Sequence, residues 1–271
     1  MKALRRRRFR RRYGTRALRR REDAASVRAG YPELADLFAG AEPSMRAVLD
    51  AIDSHAADLL AIAAAAAAQP APRFGQDWFP RLDALAAYAL VRKHRPARLV
   101  EIGCGHSTRW FARAVADGGL ATRVTAIDPR PRATVAGLPV TLLRTTVQRA
   151  GADPFADLAA GDMLSLDGSH ILMPGSDVDV VLNRVVPRLP AGVLLHLHDI
   201  FLPAPYPVAW TWRGYNEQQA VATMLAGGGW RIRWSSRWAA TGLTERLATS
   251  IAAGLPLPPG AHEASLWLEK Q

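Results

Sequence analysis

Leu99-Val100-Glu101-Ile102-Gly103-Cys104-Gly105-His106-Ser107 decides the fold of this 271-residue chain. Arg98–Ile102 is a short, mostly apolar run that predicts a strand. Gly103 and Gly105 then let backbone approach a ligand closely, and a helix over Ser107–Ala116 offers free N–H groups at its start. A strand, a glycine turn and a helix in that order form a cofactor loop. A dinucleotide loop of the G-x-G-x-x-G type would carry a small residue three positions after the second glycine, but Thr108 stands there, and the strand-ending acid Glu101 is no part of that fingerprint. One strand–helix–strand step later, Asp128 closes the run Val124–Ile127, where its carboxylate can accept hydrogen bonds from ribose hydroxyls. The alternative for the glycines is a plain tight turn.

The pattern outside this loop supports the same architecture. Further strands are predicted over Val140–Leu143, Met163–Leu166, Val193–Leu197, Arg231–Trp234 and Ala264–Leu268. Helices are predicted over Arg81–Lys93, Val178–Arg188 and Glu217–Leu225. Strands alternating with helices imply a doubly wound, mostly parallel α/β sheet. Residues 24–70 read as helical from the spacing of Leu34, Leu37, Phe38, Met45, Val48, Leu49 and Ile52, with breaks near Gly40 and Pro43. The expected organisation is a basic arm over 1–22, a helical extension and linker over 23–80, and the α/β domain over 81–271.

Composition bounds the function. No apolar run is long enough to span a bilayer. With Cys104 the one cysteine, an internal disulfide is excluded and a cysteine zinc site is disfavoured. A cytoplasmic location is expected. The net charge of +11 resides in a tail: residues 1–21 hold Lys2 and eleven arginines without an acid, and the rest of the chain is near neutral. Such a block reads as a solvated arm, or as a contact to nucleic acid or an anionic surface. Only Phe9 and Tyr13 interleave aromatically, which is little for base stacking.

Ligands of a doubly wound sheet sit beyond the carboxyl ends of its strands. Four strands end there in Glu101, Asp128, Asp167 and His198-Asp199. The first loop resembles motif I of the class I methyltransferases, in which an acid precedes G-x-G. Asp162-Met163-Leu164-Ser165-Leu166-Asp167-Gly168-Ser169-His170 is similar to the fourth-strand segment of a bacterial methyltransferase family. So is the run from Gly175-Ser176-Asp177 through His198-Asp199-Ile200-Phe201-Leu202-Pro203, followed by Tyr206-Pro207, Trp210 and Asn216-Glu217. The resemblance covers residues 73–235.

The resemblance implies a seven-stranded Rossmann-like methyltransferase sheet. It also implies S-adenosyl-L-methionine as cofactor, bound through Glu101, Gly103, Gly105, Ser107 and Asp128, and methylation of a hydroxyl on a small molecule or glycan intermediate. Metal-assisted small-molecule O-methyltransferases place acids at the ends of the fourth and fifth strands, the positions of Asp167 and His198-Asp199. Their catalytic base lies three residues after the first aspartate, the spacing of His170, and a neutral imidazole suits proton removal from a hydroxyl. Asp167, His170 and Asp199 are thus the expected catalytic group, and Asp167, His198 and Asp199 the candidate ligands of Mg²⁺ or a transition metal. His198 departs from the acid or amide usual among metal users, and imidazole suits transition metals better than Mg²⁺; the other reading is a metal-free, hydrogen-bonding pocket. His196, deeper in the strand, is expected to be packing. Trp210, Trp212, Tyr215 and Glu217 are candidates for a substrate wall. The rival functions are a nucleic-acid methyltransferase guided by the arginine arm and a non-catalytic, cofactor-binding relative. Pairing of two chains through the amino-terminal helices is a further expectation.

Overall fold

The computed structural model describes residues 30–65 and 68–271. The arm expected over 1–22 lies outside these residues, as do positions 23–29 and 66–67 of the expected helical extension. Seven strands form one sheet in the order β3-β2-β1-β4-β5-β7-β6. They are β1 Arg98–Ile102, β2 Arg123–Ile127, β3 Thr141–Leu143, β4 Met163–Leu166, β5 Leu194–Leu197, β6 Trp230–Ser235 and β7 Leu266–Lys270. β1 to β5 run parallel, and β7 is antiparallel to both neighbours, β5 and β6. This is the doubly wound, mostly parallel seven-stranded Rossmann-like sheet that the sequence predicts. β4 and β5, covered on both faces, are wholly buried, and they read as near-continuous apolar runs for that reason. The strand order reverses between the paired β1 and β4, and the carboxyl ends of strands at such a switch point form the crevice where ligands bind.

The helical segment before the sheet is α1 Ala35–Gly40, α2 Glu42–Ser54 and α3 Ala56–Ala64. The break expected near Gly40 and Pro43 falls at Ala41, between α1 and α2, and Pro43 sits in the first turn of α2, where a missing N–H costs nothing. Met45, Val48, Leu49 and Ile52 of α2 join the same apolar core as the strands. α4, Arg81–His94, buries every residue from Leu82 to Val91, the signature of a helix enclosed on all sides. It carries Asp83 in its first turn and Arg92, Lys93 and His94 in its last, which complements the helix dipole. It ends on a left-handed Arg95 ahead of Pro96. α5, His106–Asp117, follows the glycine loop, and α6, Glu217–Ala226, precedes β6. Among the described residues no helix is long and apolar enough to cross a membrane.

Two elements depart from expectation. The helix predicted over Val178–Arg188 is regular only for Asp177–Val180, then widens and tightens towards Arg188 around Pro187, which cannot donate the helical bond its position requires. β7 starts two residues late because the N–H groups of Ala264 and Ser265 donate to the buried Asp83 carboxylate, at 3.1 and 2.9 Å.

The segment leading into β7 is also clamped to α4. Arg81 pairs with Glu263 through two contacts of 2.9 and 3.1 Å, and Glu263 accepts the Leu82 N–H at 2.8 Å. Removing one member of a nearly buried pair leaves the other charge uncompensated. Glu263→Ala is therefore expected to lower unfolding free energy by about 3 kcal/mol, measured as a fall in the denaturant midpoint.

Candidate active site

The glycine loop is held from beneath. Gly103 has φ +84°, and a Cβ there would lie 1.9 Å from the Asp167 carbonyl oxygen. Only glycine lets β1 turn that close to the end of β4. Gly105 is the opposite case: a Cβ would find only Ala133 at 3.9 Å, so the outer surface of the loop is open. The Glu101 side chain is fully buried under the loop and accepts the hydroxyls of Ser107 and Thr108. Thr108 in turn accepts the Gly105 N–H at 2.9 Å, capping α5. Burial pushes the Glu101 carboxyl up to about 8, against the two hydroxyls that favour its charge. Asp128 accepts the Cys104 N–H at 3.0 Å and the Arg130 N–H at 2.6 Å. A carboxylate has about four acceptor positions, so each Asp128 oxygen keeps a lone pair for a ribose hydroxyl. Cys104 is packed inertly: burial, then Glu101, raises its thiol to about 12.

The ends of β4 and β5 bring the predicted catalytic residues together. His170 Nε2 lies 3.4 Å from Asp167 Oδ1 and 3.5 Å from Asp199 Oδ2, and its Nδ1 is hydrogen-bonded to Glu217. Both His170 and Asp199 adopt left-handed backbone, φ 59° and 58°, a conformation that short polar side chains tolerate better than most. Tyr215 covers the His170 ring at 4.4 Å between centroids. The sequence suggests a neutral imidazole, but the surroundings reverse that. Burial alone would strip the His170 proton, yet the Glu217 charge, the hydrogen bonds to Asp167 and Glu217 and the Asp199 charge outweigh it and hold the ring well above its usual range. Burial likewise opposes ionisation of Asp167, and the His198 and His170 rings overcome it, keeping that carboxyl well below the carboxylate range.

His198 stands on the other side of the carboxylates. Its Nδ1 is 3.4 Å from Asp167 Oδ1 and 3.6 Å from Asp199 Oδ1, and its Nε2 contacts Asp83 Oδ2 at 3.1 Å. Against the cost of burial, Asp167 and Asp199 keep it charged. The donor set proposed for a metal does not fit one. Nε2 of His198 is engaged by Asp83, and the described residues hold no group of three histidine, cysteine or acid side chains able to hold a metal ion. His196 is packing, as expected: fully buried, bonded to Ser165 at 2.8 Å and Ser265 at 3.0 Å, and stacked on Trp267.

The candidate substrate wall is rearranged. Glu217, buried, backs His170, and Tyr215 covers its ring. Trp210 lies under the Arg213 guanidinium at 3.8 Å, and Arg213 Nη1 reaches to 3.8 Å from Asp199 Oδ2. Trp212 is 43% exposed. Sequence reasoning missed Asp83, Thr108 and Arg213. Asp83 had a signal, a lone acid within the apolar face of α4; Arg213 had none beyond its aromatic neighbours.

Residues 100–200 match a family model described as a methyltransferase domain. No curated protein matches the sequence. Similar solved structures include the O-methyltransferase TomG of Streptomyces achromogenes, involved in tomaymycin synthesis and bound to S-adenosylmethionine. It is 14% identical, with 83% of this chain and 89% of that one covered and a TM-score of 0.45. An O-methyltransferase of Bacillus cereus with S-adenosylhomocysteine is 12% identical, with 83% and 91% covered and a TM-score of 0.43. The branched-chain polyamine synthase of Thermus thermophilus, in complex with N4-aminopropylspermidine and 5′-methylthioadenosine, is 16% identical, with 79% and 63% covered and a TM-score of 0.44.

The brace under the loop separates two substitutions. Glu101→Gln replaces a carboxyl that is largely protonated at pH 7 by a neutral isostere, and is expected to keep the midpoint of thermal unfolding within a few degrees of the parent. Glu101→Ala strands two buried hydroxyls and should cost about 2–3 kcal/mol. The pH dependence has a definite sign. Because the folded carboxyl titrates above its unfolded value, its contribution to stability is complete below about pH 4.5 and is lost as the pH rises towards about 8. Glu101→Gln should flatten that decline in denaturation curves recorded across the interval.

Proposed function

We propose that the chain is a class I, S-adenosylmethionine-dependent methyltransferase, a reading supported by the methyltransferase-domain match over residues 100–200 and the seven-stranded sheet, and that its acceptor is a hydroxyl oxygen of a small molecule or glycan intermediate, with His170 as the proton acceptor. The observation that carries this reading is the convergence of His170, Asp167 and Asp199 at the ends of β4 and β5, with Glu217 bonded to the far side of the His170 ring.

The open surface over Gly105, the first N–H groups of α5 and the unused lone pairs of Asp128 fit the donor's adenosyl and methionyl groups. Glu101 serves from beneath, fixing Ser107 and Thr108 rather than touching the ligand. The donor supplies a methyl group already activated by its positive sulfur, so the chain must chiefly position the acceptor and take its proton. As the acceptor oxygen forms its bond to the methyl carbon and the carbon–sulfur bond breaks, the hydroxyl proton passes to His170 Nε2. That nitrogen must first be free of its own proton. Glu217 then holds the remaining Nδ1–H, which fixes the tautomer that presents Nε2, while Asp167 and Asp199 flank the imidazolium that forms. Arg213 and His198 keep Asp199 from standing as an isolated charge.

Calorimetry should show S-adenosylhomocysteine binding to the full chain and weaker binding to Asp128→Ala; absence of binding in both would end this reading. A labelled-donor screen against sugar, lipid-linked and phenolic hydroxyls identifies the acceptor. With it, His170→Ala is expected to lose about 10²- to 10⁴-fold in turnover while keeping donor binding; near-normal turnover would remove His170 from the role. The acid limb of the rate profile should lie above the usual imidazole range. Glu217→Gln removes the negative charge that retains the His170 proton, so that limb should move to lower pH, and an unmoved limb would assign it to another group.

A further inference from the structure

Residues 69–80 lead into α4 as an irregular strap along the first turns of α5, beside the glycine loop. Three contacts place it there. Gln69 Oε1 accepts from Arg109 Nη2 at 3.3 Å, Phe74 packs on Trp110 with 4.7 Å between ring centroids, and Trp78 lies under the Arg132 guanidinium at 5.3 Å. Arg132 belongs to the loop that follows Asp128. Its neighbour Ala133 is what a Cβ on Gly105 would meet, at 3.9 Å, and the next carbonyl, that of Thr134, accepts from Arg109 Nε at 3.0 Å. Strap and loop therefore meet over the start of α5, next to the open surface of Gly105.

Both segments bring charge that the fold does not pair. Neither Arg73 on the strap nor Arg132 on the loop is within ion-pair distance of an acid among the described residues. Residues 129–135 hold two arginines and no acid. Arg109, 1% exposed, is met only by neutral oxygens, the Gln69 amide and the Thr134 carbonyl. His106, the first residue of α5, has a buried Nδ1 without a hydrogen-bond partner. Burial, then Arg109 and Arg73, hold its ring down to about 4 against the charge of Asp77, the one acid of the strap. The first N–H groups of α5 add the positive end of the helix dipole. Cations gathered at a helix start with so little acid to pair them suit an anionic ligand group.

We propose that Arg73 and Arg132 clasp the carboxylate of the donor's methionyl end, the strap serving as the wall that presents them. This rests on the methyl-transfer reading for the identity of the donor. The donor is polar along its length, with a carboxylate at one end and a sulfonium next to the adenosyl group. The acids at the ends of β4 and β5 draw the sulfonium, and the cations over α5 draw the carboxylate. Two regions of opposite charge in one crevice thus fix the direction in which the donor lies. Arg132 is preset for its part: the Trp78 ring under its guanidinium leaves the N–H edge to meet a carboxylate.

The test is calorimetry on the full chain with two probes, S-adenosylhomocysteine and its decarboxylated analogue, which keeps the adenosyl group, sulfur and amine. The parent is expected to bind S-adenosylhomocysteine more tightly by about tenfold or more, the yield of one charge-assisted contact. The double substitution Arg73→Gln, Arg132→Gln should bring that affinity down to the analogue's and leave the analogue's unchanged. Arg73→Lys with Arg132→Lys restores the charge without the fork and should recover part of the preference. A parent that binds both probes alike, a glutamine variant that keeps the preference, or one that loses affinity for both probes equally, as a merely structural strap would, overturns the proposal. Equal binding of the two probes leaves the donor reading standing, whereas binding of neither ends that reading and the clasp with it.

Discussion

Asp167 and Asp199 leave adjacent parallel strands at one rim, and both carboxylates come within 3.5 Å of a single nitrogen, His170 Nε2. Two acids drawn together away from bulk water are costly unless each is paired and hydrogen-bonded. Most of the site follows from meeting that cost. His170 and His198 stand on either side of the pair as cations. Each ring turns its second nitrogen to a further buried acid, Glu217 for His170 and Asp83 for His198. The outer acids come from α6 and α4, so neither helix can shift without unpairing a charge. The fold thereby ties its two flanking layers to the crevice through ionisable groups, where apolar contact would have left the geometry looser.

The same logic explains why this cluster does not read as a metal centre. A divalent cation would serve the carboxylate pair well, and the acids at the strand ends suggest one. Here Nδ1 of His198 already faces both carboxylates, and its Nε2 faces Asp83. Asp83 has a second duty, accepting the N–H groups of Ala264 and Ser265, which delays the start of β7. One buried carboxylate thus sets a histidine and a strand boundary at once.

Legibility in the sequence tracked distance along the chain. The strands, the glycine loop and the acids at the strand ends are local patterns, and all appeared where the apolar runs stop. The Asp167–His170 spacing is local as well, and the two residues do face each other. What joins them to Asp83 and Glu217 spans 115 and 47 residues, and no periodicity encodes such pairings. The surroundings that raise the His170 proton affinity lie out of reach for that reason: its neighbours in sequence include one acid, whereas its neighbours in space include three. Glu101 illustrates the converse. An acid before G-x-G suggests a ligand contact, and the structure adds that the fully buried Glu101 side chain accepts the hydroxyls of Ser107 and Thr108, six and seven residues on. The helix expected over Val178–Arg188 is helical throughout but loses its regular bonding after Val180, since apolar periodicity shows the helix and does not show the effect of the missing N–H of Pro187.

Charge then links the site to its proposed chemistry. Four carboxylates (Asp83, Asp167, Asp199 and Glu217) face three cations, His170, His198 and Arg213. In the state that can accept the acceptor's proton His170 is neutral, so with the carboxylates ionised the cluster is two negative charges in excess, which in a partly desolvated crevice is felt strongly. On the proposed reaction the donor brings one positive charge and the spent donor has none. Attraction at the rim is therefore greatest before transfer and gone after it, so the electrostatics that gather the charged donor do not retain its neutral product. The excess also disfavours an anionic acceptor group against Asp199, and it leaves Arg213, stacked on Trp210, as a partner of that carboxylate. A neutral hydroxyl is the acceptor this balance of charge admits most easily.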